Sequence, residues 1–237
     1  MTDLFLYVQH LHGIGHLRRA AAIARAAADA GLETLLVSGG FPLPDLDLGG
    51  AELLQLPPLR TADESFSRLL GEDGREIDAA FKEARRAQLL EAFSARAPRI
   101  LMTEMYPFGR RQLRFELEPL IAAAEAAKPR PWILAPLRDI LVVQDNPEKT
   151  AWMRDTDRAH YDRVIVHGDP ALLPLDASFP HATELGERLV YSGYVASGGG
   201  LPEAVPNGEV LVSIGGGAFG ETLARTALAA RPLSRLA

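Results

Sequence analysis

Short apolar segments alternate with longer helical segments along the chain, and this alternation constrains the fold more than any other feature of the sequence. The apolar segments predict buried strands, because each is a short run bounded by glycine, proline or polar residues. They are residues 4–8, 34–37, 53–56, 99–103, 132–135, 163–167 and 189–192. Helical patterns occupy residues 17–30, 76–95, 110–127 and 147–159, whereas residues 59–75 predict a long loop. This order predicts an α/β fold, with a Rossmann-like parallel sheet that has helices on both faces.

The residues after the last of these strands predict a change of domain. Residues 1–195 form one N-terminal Rossmann-like domain, and residues 196–208 have the composition of a linker. A strand at 210–214, a glycine loop and a helix at 221–230 then predict the first βα unit of a second Rossmann-like domain, residues 209–237. Because one βα unit cannot bury its own core, we expect this domain to be incomplete. The alternative is that the unit packs on the first sheet.

Composition and charge exclude several classes of protein. The formal net charge is −6, which argues against a nucleic-acid partner. The chain has no cysteine, so disulfides, thiolate metal sites and cysteine nucleophiles are excluded. The N-terminus lacks the regions of a signal peptide, and no apolar run reaches the roughly 18 residues of a membrane span. We therefore expect a soluble cytoplasmic protein.

The loop between the first strand and the first helix has the composition of a phosphate-binding turn. Gly13 and Gly15 precede the helix, whose N-terminal N–H groups favour an anion. The dinucleotide fingerprint is incomplete, because Arg18 stands at the third glycine position and no acid follows the second strand. This disfavours an NAD-dependent dehydrogenase or an epimerase. The alternative for the loop is a plain tight turn.

Three histidines lie in or next to this loop. They are His10, His12 and His16, and an imidazole is a natural general base near neutral pH. Three such side chains could also hold a metal ion, but no acidic cluster lies nearby in the sequence to complete a site. For His16 the alternatives are a general base and a phosphate contact, whereas His10 and His12 favour a structural role.

Polar residues follow two further strands. Glu104 directly follows the strand at 99–103, where a carboxylate faces the ligand crevice of a parallel sheet. It either orients a histidine or pairs with a neighbouring arginine. Arg138 and Asp139 follow the next strand and either bind substrate or pair with each other. Residues 167–170 predict a turn.

A second glycine loop, residues 215–220, has the spacing of a P-loop. Glu221 occupies the position of the P-loop lysine and would repel phosphate oxygens, so nucleotide hydrolysis is disfavoured. Backbone N–H groups of the loop can still cradle a diphosphate.

These features together resemble the GT-B glycosyltransferases. In particular, they resemble bacterial predicted glycosyltransferases related to the enzyme that adds N-acetylglucosamine to the peptidoglycan lipid intermediate. The segments that carry the resemblance are residues 13–16 with Arg19, and residues 104–111, 138–141, 161–174 and 212–220. The resemblance implies an acceptor-binding N-terminal domain that faces a nucleotide-sugar-binding domain across a cleft.

The resemblance also implies roles for individual residues. His16 matches the histidine that ends the family's first glycine loop, and Glu104 loosely matches the acid that orients a base in some relatives. Contacts with the acceptor or a phosphate are implied for Gly13, Gly15, Arg19, Arg138 and Asp139. Contacts with the donor diphosphate are implied for Gly215, Gly216, Gly217 and Ala218.

The function implied is a metal-independent glycosyltransferase without a cofactor, whose donor substrate is a nucleotide-sugar of the UDP type. The acceptor would be a small molecule or a lipid, which leaves open a peripheral contact with the inner face of a membrane. The incomplete second unit leaves open a dimer or a partner chain. The alternative function is the acceptor-binding subunit of a split glycosyltransferase, with no activity of its own.

Overall fold

The computed structural model describes residues 2–11, 13–62, 68–142, 146–196, 210–214 and 220–233. The strands are β1 (Leu4–Val8), β2 (Thr34–Ser38), β3 (Glu52–Gln55), β4 (Arg60–Thr61), β5 (Leu69–Leu70), β6 (Ile100–Thr103), β7 (Trp132–Arg138), β8 (Arg163–His167) and β9 (Leu189–Tyr191). The α-helices are α1 (Gly15–Asp29), α2 (Ala79–Arg96), α3 (Arg114–Ala126), α4 (Pro147–His160) and α5 (Glu221–Ala230). None of these helices is long and apolar enough to cross a membrane.

Seven of these strands form one parallel sheet in the order β3-β2-β1-β6-β7-β8-β9. The chain runs outward from β1 to β2 and β3, and it then returns to the other side of β1 with β6. The strand order therefore reverses between β1 and β6. In an open parallel sheet, ligands bind outside the carboxyl ends of the strands at such a reversal.

The side chains of β1 alternate between two cores. Leu4, Leu6 and Val8 pack against α1 on one face of the sheet. Phe5 and Tyr7 point to the opposite face and join the core that contains residues of α2, α3 and α4. Because both faces of β1 are buried, its sequence is a continuous apolar run rather than an alternating one. The predicted Rossmann-like sheet with helices on both faces is confirmed.

The structure corrects two predictions. Part of the predicted loop at 59–75 is an antiparallel hairpin of β4 and β5, in which Leu59 and Leu69 are buried; residues 63–67 lie outside the described residues. The strand predicted at 210–214 is wrong. The segment is exposed and does not pair with the described strands, and a strand needs a hydrogen-bonded neighbour. The helix predicted after it is present as α5.

A buried ion pair joins the two sides of the strand reversal. Arg85 of α2 and Glu116 of α3 are both fully buried, and Arg85 Nε donates a hydrogen bond to Glu116 Oε2 at 2.6 Å. Arg85 Nη1 also donates to the carbonyl oxygens of Gly39, at 3.0 Å, and Pro57. These carbonyls follow β2 and β3, so a single guanidinium group connects two helices and two strand ends.

The same hydrogen-bond network reaches β1. Arg85 Nη2 donates to Gln9 Oε1 at 2.7 Å, and Gln9 Nε2 donates to the carbonyl oxygen of His10 at 2.7 Å. The Tyr7 hydroxyl donates to Glu116, and burial together with the Glu116 charge raises the pKa of Tyr7 well above its usual value. The residues that lead into the first glycine loop are therefore held in place by buried side chains.

Replacing Glu116 by alanine would leave the Arg85 charge buried without its partner. We expect Glu116→Ala to lower the free energy of unfolding by about 3–5 kcal/mol, the usual cost of breaking a buried pair from one side. Urea unfolding followed by circular dichroism measures the change. Glu118→Ala on the same helix is the matched control, because the pair of Glu118 with Arg114 is exposed and is worth about 0.5 kcal/mol or less. Equal losses in the two variants would contradict the prediction.

Candidate active site at the carboxyl edge of the sheet

The N-terminus of α1 lies at the strand reversal with its backbone N–H groups uncapped by side chains. Ile14 is the N-cap residue and makes no side-chain capping hydrogen bond, and the first turn contains no acidic residue. A side chain at Gly13 or Gly15 would meet no atom of the described residues within 4 Å, so these residues leave the space beside the two glycines open. Free N–H groups and the helix dipole make this end of α1 suitable for an anionic group.

His16, Arg19 and Glu104 meet at this edge of the sheet. Glu104 directly follows β6, the strand beside β1, and His16 lies in the first turn of α1. His16 Nδ1 is 2.7 Å from Glu104 Oε1, and Arg19 Nη2 donates a hydrogen bond to the same oxygen. Helix positions three apart lie on one side, so His16 and Arg19 share one carboxylate. The structure thus brings together the two residues predicted to be catalytic.

Glu104 is a charged group in the protein interior. Its side chain is only 2% exposed, compared with 23% for His16 and 18% for Arg19. Burial acts to raise the pKa of Glu104. The hydrogen bond with His16 and the positive charges of Arg110 and Arg19, joined by that of His16 when its ring is protonated, outweigh burial, so the pKa lies below its usual value. Glu104 is therefore ionised at neutral pH.

The ionised carboxylate sets the protonation of the His16 ring. A carboxylate only accepts hydrogen bonds, so His16 Nδ1 carries a proton and donates it to Glu104 Oε1. In the neutral ring, Nε2 then has the unshared electron pair. This arrangement gives His16 the form of a general base, with the basic nitrogen on the side of the ring away from Glu104.

The segment after Glu104 turns Arg110 back toward the carboxylate. Met105 and Arg110 adopt left-handed backbone conformations, with φ of 65° and 61°, which cost free energy in residues that have a side chain. The backbone N–H of Gly109 donates to the carbonyl oxygen of Met105 at 2.7 Å and closes the turn. Burial lowers the pKa of Arg110, although the charge of Glu104 opposes this. The turn therefore places a second arginine near Glu104.

Two further histidines lie near this cluster in the neutral form. His10 is 6% exposed and its ring lies against Gly40, whereas His167, the last residue of β8, is 8% exposed. Burial lowers the pKa of each histidine to about 4. A nearby positive charge also lowers it, that of Arg110 for His10 and that of Arg19 for His167. Both imidazoles are therefore uncharged at neutral pH.

The other predicted site residues fall into two groups. Arg138 ends β7 and is exposed, and Asp139 accepts a hydrogen bond from the Tyr194 hydroxyl at 3.3 Å. Both lie at the same edge of the sheet as Glu104, and their contact with a ligand stays a prediction. His12 lies outside the described residues, and so do the predicted donor-binding residues Gly215, Gly216, Gly217 and Ala218.

Two Asp-x-Asp sequences occur in the chain, at 45–47 and 155–157. At 45–47, Asp47 pairs with Arg25; at 155–157, Asp155 pairs with Arg154 and Asp157 with Arg188. No group of three or more histidine, cysteine, aspartate and glutamate side chains in the described ranges is arranged to hold a metal ion.

Comparison with known proteins gives a likeness of fold. No protein-family model matches the sequence, and a search of curated proteins finds no match. The chain is similar to the crystal structure of CalG4, the calicheamicin glycosyltransferase, with a TM-score of 0.46, 13% identity, and 86% of this chain and 56% of that chain covered. It is also similar to the crystal structure of Acinetobacter baumannii MurG, with a TM-score of 0.39, 11% identity, and 71% of this chain and 42% of that chain covered.

The chain therefore spans about half the length of these two structures. At 11–13% identity and TM-scores below 0.5, the likeness concerns the fold alone.

Three features of this region were not predicted from the sequence. His167 ends a strand just as Glu104 follows one, so the rule that singled out Glu104 also predicts a place for His167 at the ligand edge. No sequence pattern indicated the Arg85–Glu116 pair, because an arginine in an amphipathic helix is normally a surface residue. Arg110 reaches Glu104 only through the left-handed turn, which the sequence does not reveal.

Replacing Glu104 by glutamine removes the buried charge with little change of shape. The folded-state pKa of Glu104 lies below its ordinary value of 4.5, so its ionisation stabilises the fold above that pH. This stabilisation is lost as the pH falls through the lowered pKa. We expect Glu104→Gln to be less stable than the wild type at neutral pH, and the difference to shrink in acid.

Urea unfolding of both proteins at a series of pH values measures this difference. Glu118→Gln, at an exposed position, is the control and should follow the wild type throughout. A difference between Glu104→Gln and the wild type that stays constant into the acid range would contradict the prediction.

Proposed function

We propose that this chain contains the acceptor-binding domain and the general base of a glycosyltransferase, which moves a sugar from a nucleotide-sugar to an acceptor hydroxyl. The contact of 2.7 Å between His16 Nδ1 and Glu104 Oε1, at the ligand edge of a Rossmann-like sheet, carries the proposal. A buried carboxylate that orients an imidazole makes the opposite ring nitrogen a base, as in hydrolase triads. Glycosyl transfer needs such a base for the acceptor hydroxyl.

In the proposed reaction, His16 Nε2 takes the proton of the acceptor hydroxyl while the hydroxyl oxygen attacks the anomeric carbon of the donor sugar. The bond from that carbon to the diphosphate oxygen breaks, and the nucleoside diphosphate leaves with the electron pair. Glu104 stabilises the imidazolium that forms, and Arg19 holds the carboxylate in place. General-base catalysis of this kind contributes about 10²–10⁴-fold to a rate.

The departing diphosphate must also be stabilised. Backbone N–H groups of helix N-termini and glycine loops can do this without a metal ion or a cofactor. The uncapped start of α1 supports such a role for Gly13 and Gly15 toward the acceptor or a phosphate. The proposal assigns the donor diphosphate to residues 215–218 and takes the donor to be of the UDP type. It also includes contacts of Arg138 and Asp139 with the acceptor, and a cytoplasmic location with optional contact at a membrane surface.

A second candidate function is an acceptor-binding subunit whose partner chain supplies the donor site. Exposed apolar side chains near the second glycine loop favour it, since Leu211 is 92% exposed and Leu228 is 71% exposed. Surfaces of this kind commonly mark a protein contact. The two functions are distinguished by whether the purified native protein transfers sugar alone or only after its partner chain is added.

Replacing His16 by alanine removes the proposed base. In the complete native protein we expect His16→Ala to lower kcat by about 10²-fold or more, with the KM of the donor little changed. Release of nucleoside diphosphate from a panel of nucleotide-sugars, in the presence of hydroxyl-bearing acceptors, measures the rate. His160→Ala is the control, because His160 is an exposed histidine paired with Glu125. An unchanged kcat in His16→Ala would remove His16 from this role.

Replacing Gly15 by alanine tests whether a ligand approaches the start of α1. The added Cβ would meet no atom of the described chain within 4 Å, and alanine is a better helix former than glycine. We therefore expect an unchanged or raised Tm together with a higher KM for the ligand that binds there. Gly50→Ala, where the Cβ would make only a contact of 3.8 Å with Ala28, is the control. Wild-type kinetics for Gly15→Ala would show that no ligand touches this glycine.

A further inference from the structure

Buried polar atoms without hydrogen-bond partners collect around Glu104. Four of the eight such atoms in the described ranges are Arg19 Nε, Arg110 Nε, Glu104 Oε2 and His167 Nε2. Their side chains form one electrostatic cluster, because the charges of Arg19 and Glu104 act on His167 and the charge of Glu104 acts on Arg110. A fifth, His10 Nδ1, belongs to a ring on which the charges of Arg110 and His16 act. An unpartnered buried polar atom costs free energy, and native proteins contain few of them. Four in one cluster point to a ligand that completes their hydrogen bonds.

The sheet register explains why His167 belongs to this cluster. Val164 and Val166 of β8 lie in the core on the face opposite α1. Because side chains alternate along a strand, His167 points to the α1 face, where Glu104 meets His16. β7 lies between β6 and β8, so two strand spacings, or roughly 10 Å, separate the strands that carry the two residues.

The hydrogen bonds of Ser192 determine which nitrogen of His167 is the acceptor. Ser192 Oγ is 2.8 Å from His167 Nδ1 and 3.1 Å from the carbonyl oxygen of Gly193. A hydroxyl has one hydrogen, and a carbonyl oxygen only accepts, so both contacts are hydrogen bonds only if Ser192 donates to Gly193 and accepts from His167 Nδ1. His167 Nε2 is then unprotonated and can only accept.

The four unpartnered atoms therefore comprise two donors and two acceptors. The Nε–H groups of Arg19 and Arg110 only donate, whereas Glu104 Oε2 and His167 Nε2 only accept. A phosphodiester or a fully ionised phosphate only accepts hydrogen bonds, so it would satisfy the arginines but leave both acceptors unmatched and lie beside the negative charge of Glu104. A hydroxyl group donates and accepts at once, so neighbouring hydroxyls can complete all four atoms.

We propose that this cluster binds the hydroxyl groups of a neutral, polyhydroxylated acceptor such as a sugar, and that His167 contacts this substrate through Nε2. The inference rests on the proposed function in that one of these hydroxyls, beside His16, is the group that becomes glycosylated. The more exposed members of the cluster, His16 and Arg19, form the entrance to it. Phosphate binding is then confined to the N-terminus of α1 and excluded from the Glu104 cluster.

A first experiment tests the binding chemistry without any enzymatic activity. The protein is labelled with ¹⁵N-histidine, and His167→Phe identifies the resonances of the His167 ring. We expect the Nδ1–H tautomer, and a shift of the Nε2 resonance on addition of methyl glucopyranoside but not of inorganic phosphate. An Nε2–H tautomer, or a response to phosphate and none to the glycoside, would overturn the proposal.

A second experiment uses the complete native protein and the acceptor found by the transfer assay. We expect His167→Phe to raise the KM of the acceptor about tenfold, the usual worth of one hydrogen bond, and to change the KM of the donor less. His167→Gln, whose amide oxygen can accept, should recover part of the loss. His160→Phe, at an exposed position, is the control. Thermal unfolding shows whether each variant is folded.

The outcomes separate this inference from the proposed function. Sugar transfer with a wild-type acceptor KM in a folded His167→Phe variant would overturn the inference and leave the proposed function standing. The expected tautomer and glycoside response without any transfer would support a polyol-binding cluster and count against the glycosyltransferase.

Discussion

The buried ion pair between Arg85 and Glu116 is the interaction on which the ligand edge of this sheet depends. A parallel sheet whose strand order reverses leaves the ends of β1, β2 and β3 to be joined by loops alone. Here one guanidinium group bonds to carbonyls after β2 and β3 and to Gln9 after β1, while its carboxylate partner comes from α3. Because these groups are buried, the loss of one partner would leave the others without their hydrogen bonds. The loop that leads to His16 therefore starts from residues that these buried hydrogen bonds hold in place.

The geometry of the candidate site follows from a second buried charge. Glu104 can remain ionised in the interior only because His16 donates to it and because Arg19 and Arg110 surround it with positive charge. The same charges have a cost, since Arg19 and Arg110 each retain a buried Nε–H without a partner. Strain in the left-handed turn that carries Arg110 adds to this cost. Unpartnered polar groups and strained backbone are concentrated where a protein binds or transforms a ligand, because the bound ligand can complete the missing hydrogen bonds.

Much of the framework could be predicted from local pattern. The strand at Arg163–His167 matches the structure residue for residue, and Gly31 has the positive φ expected after α1. Contacts that join distant segments could not be predicted from local pattern. Arg85 lies 31 residues from Glu116, and its helix is amphipathic, a pattern in which arginine normally lies on the exposed face. The segment at 210–214 has the composition of a strand, but composition cannot tell whether a neighbouring strand is there to pair with it.

The sequence by itself determined the order of strands and helices, the positions of the glycine loops, and the placing of His16 and Glu104 at strand and helix ends. It could do so because these properties depend on residues close together in the chain. Only the tertiary structure decided that Glu104 contacts His16 and Arg19, that His167 faces the same cluster, and that Arg85 is buried. Those outcomes depend on sheet register and on charges that meet across 31 to 88 residues of sequence. Burial and the neighbouring charges together determine which of these groups is charged and which is neutral.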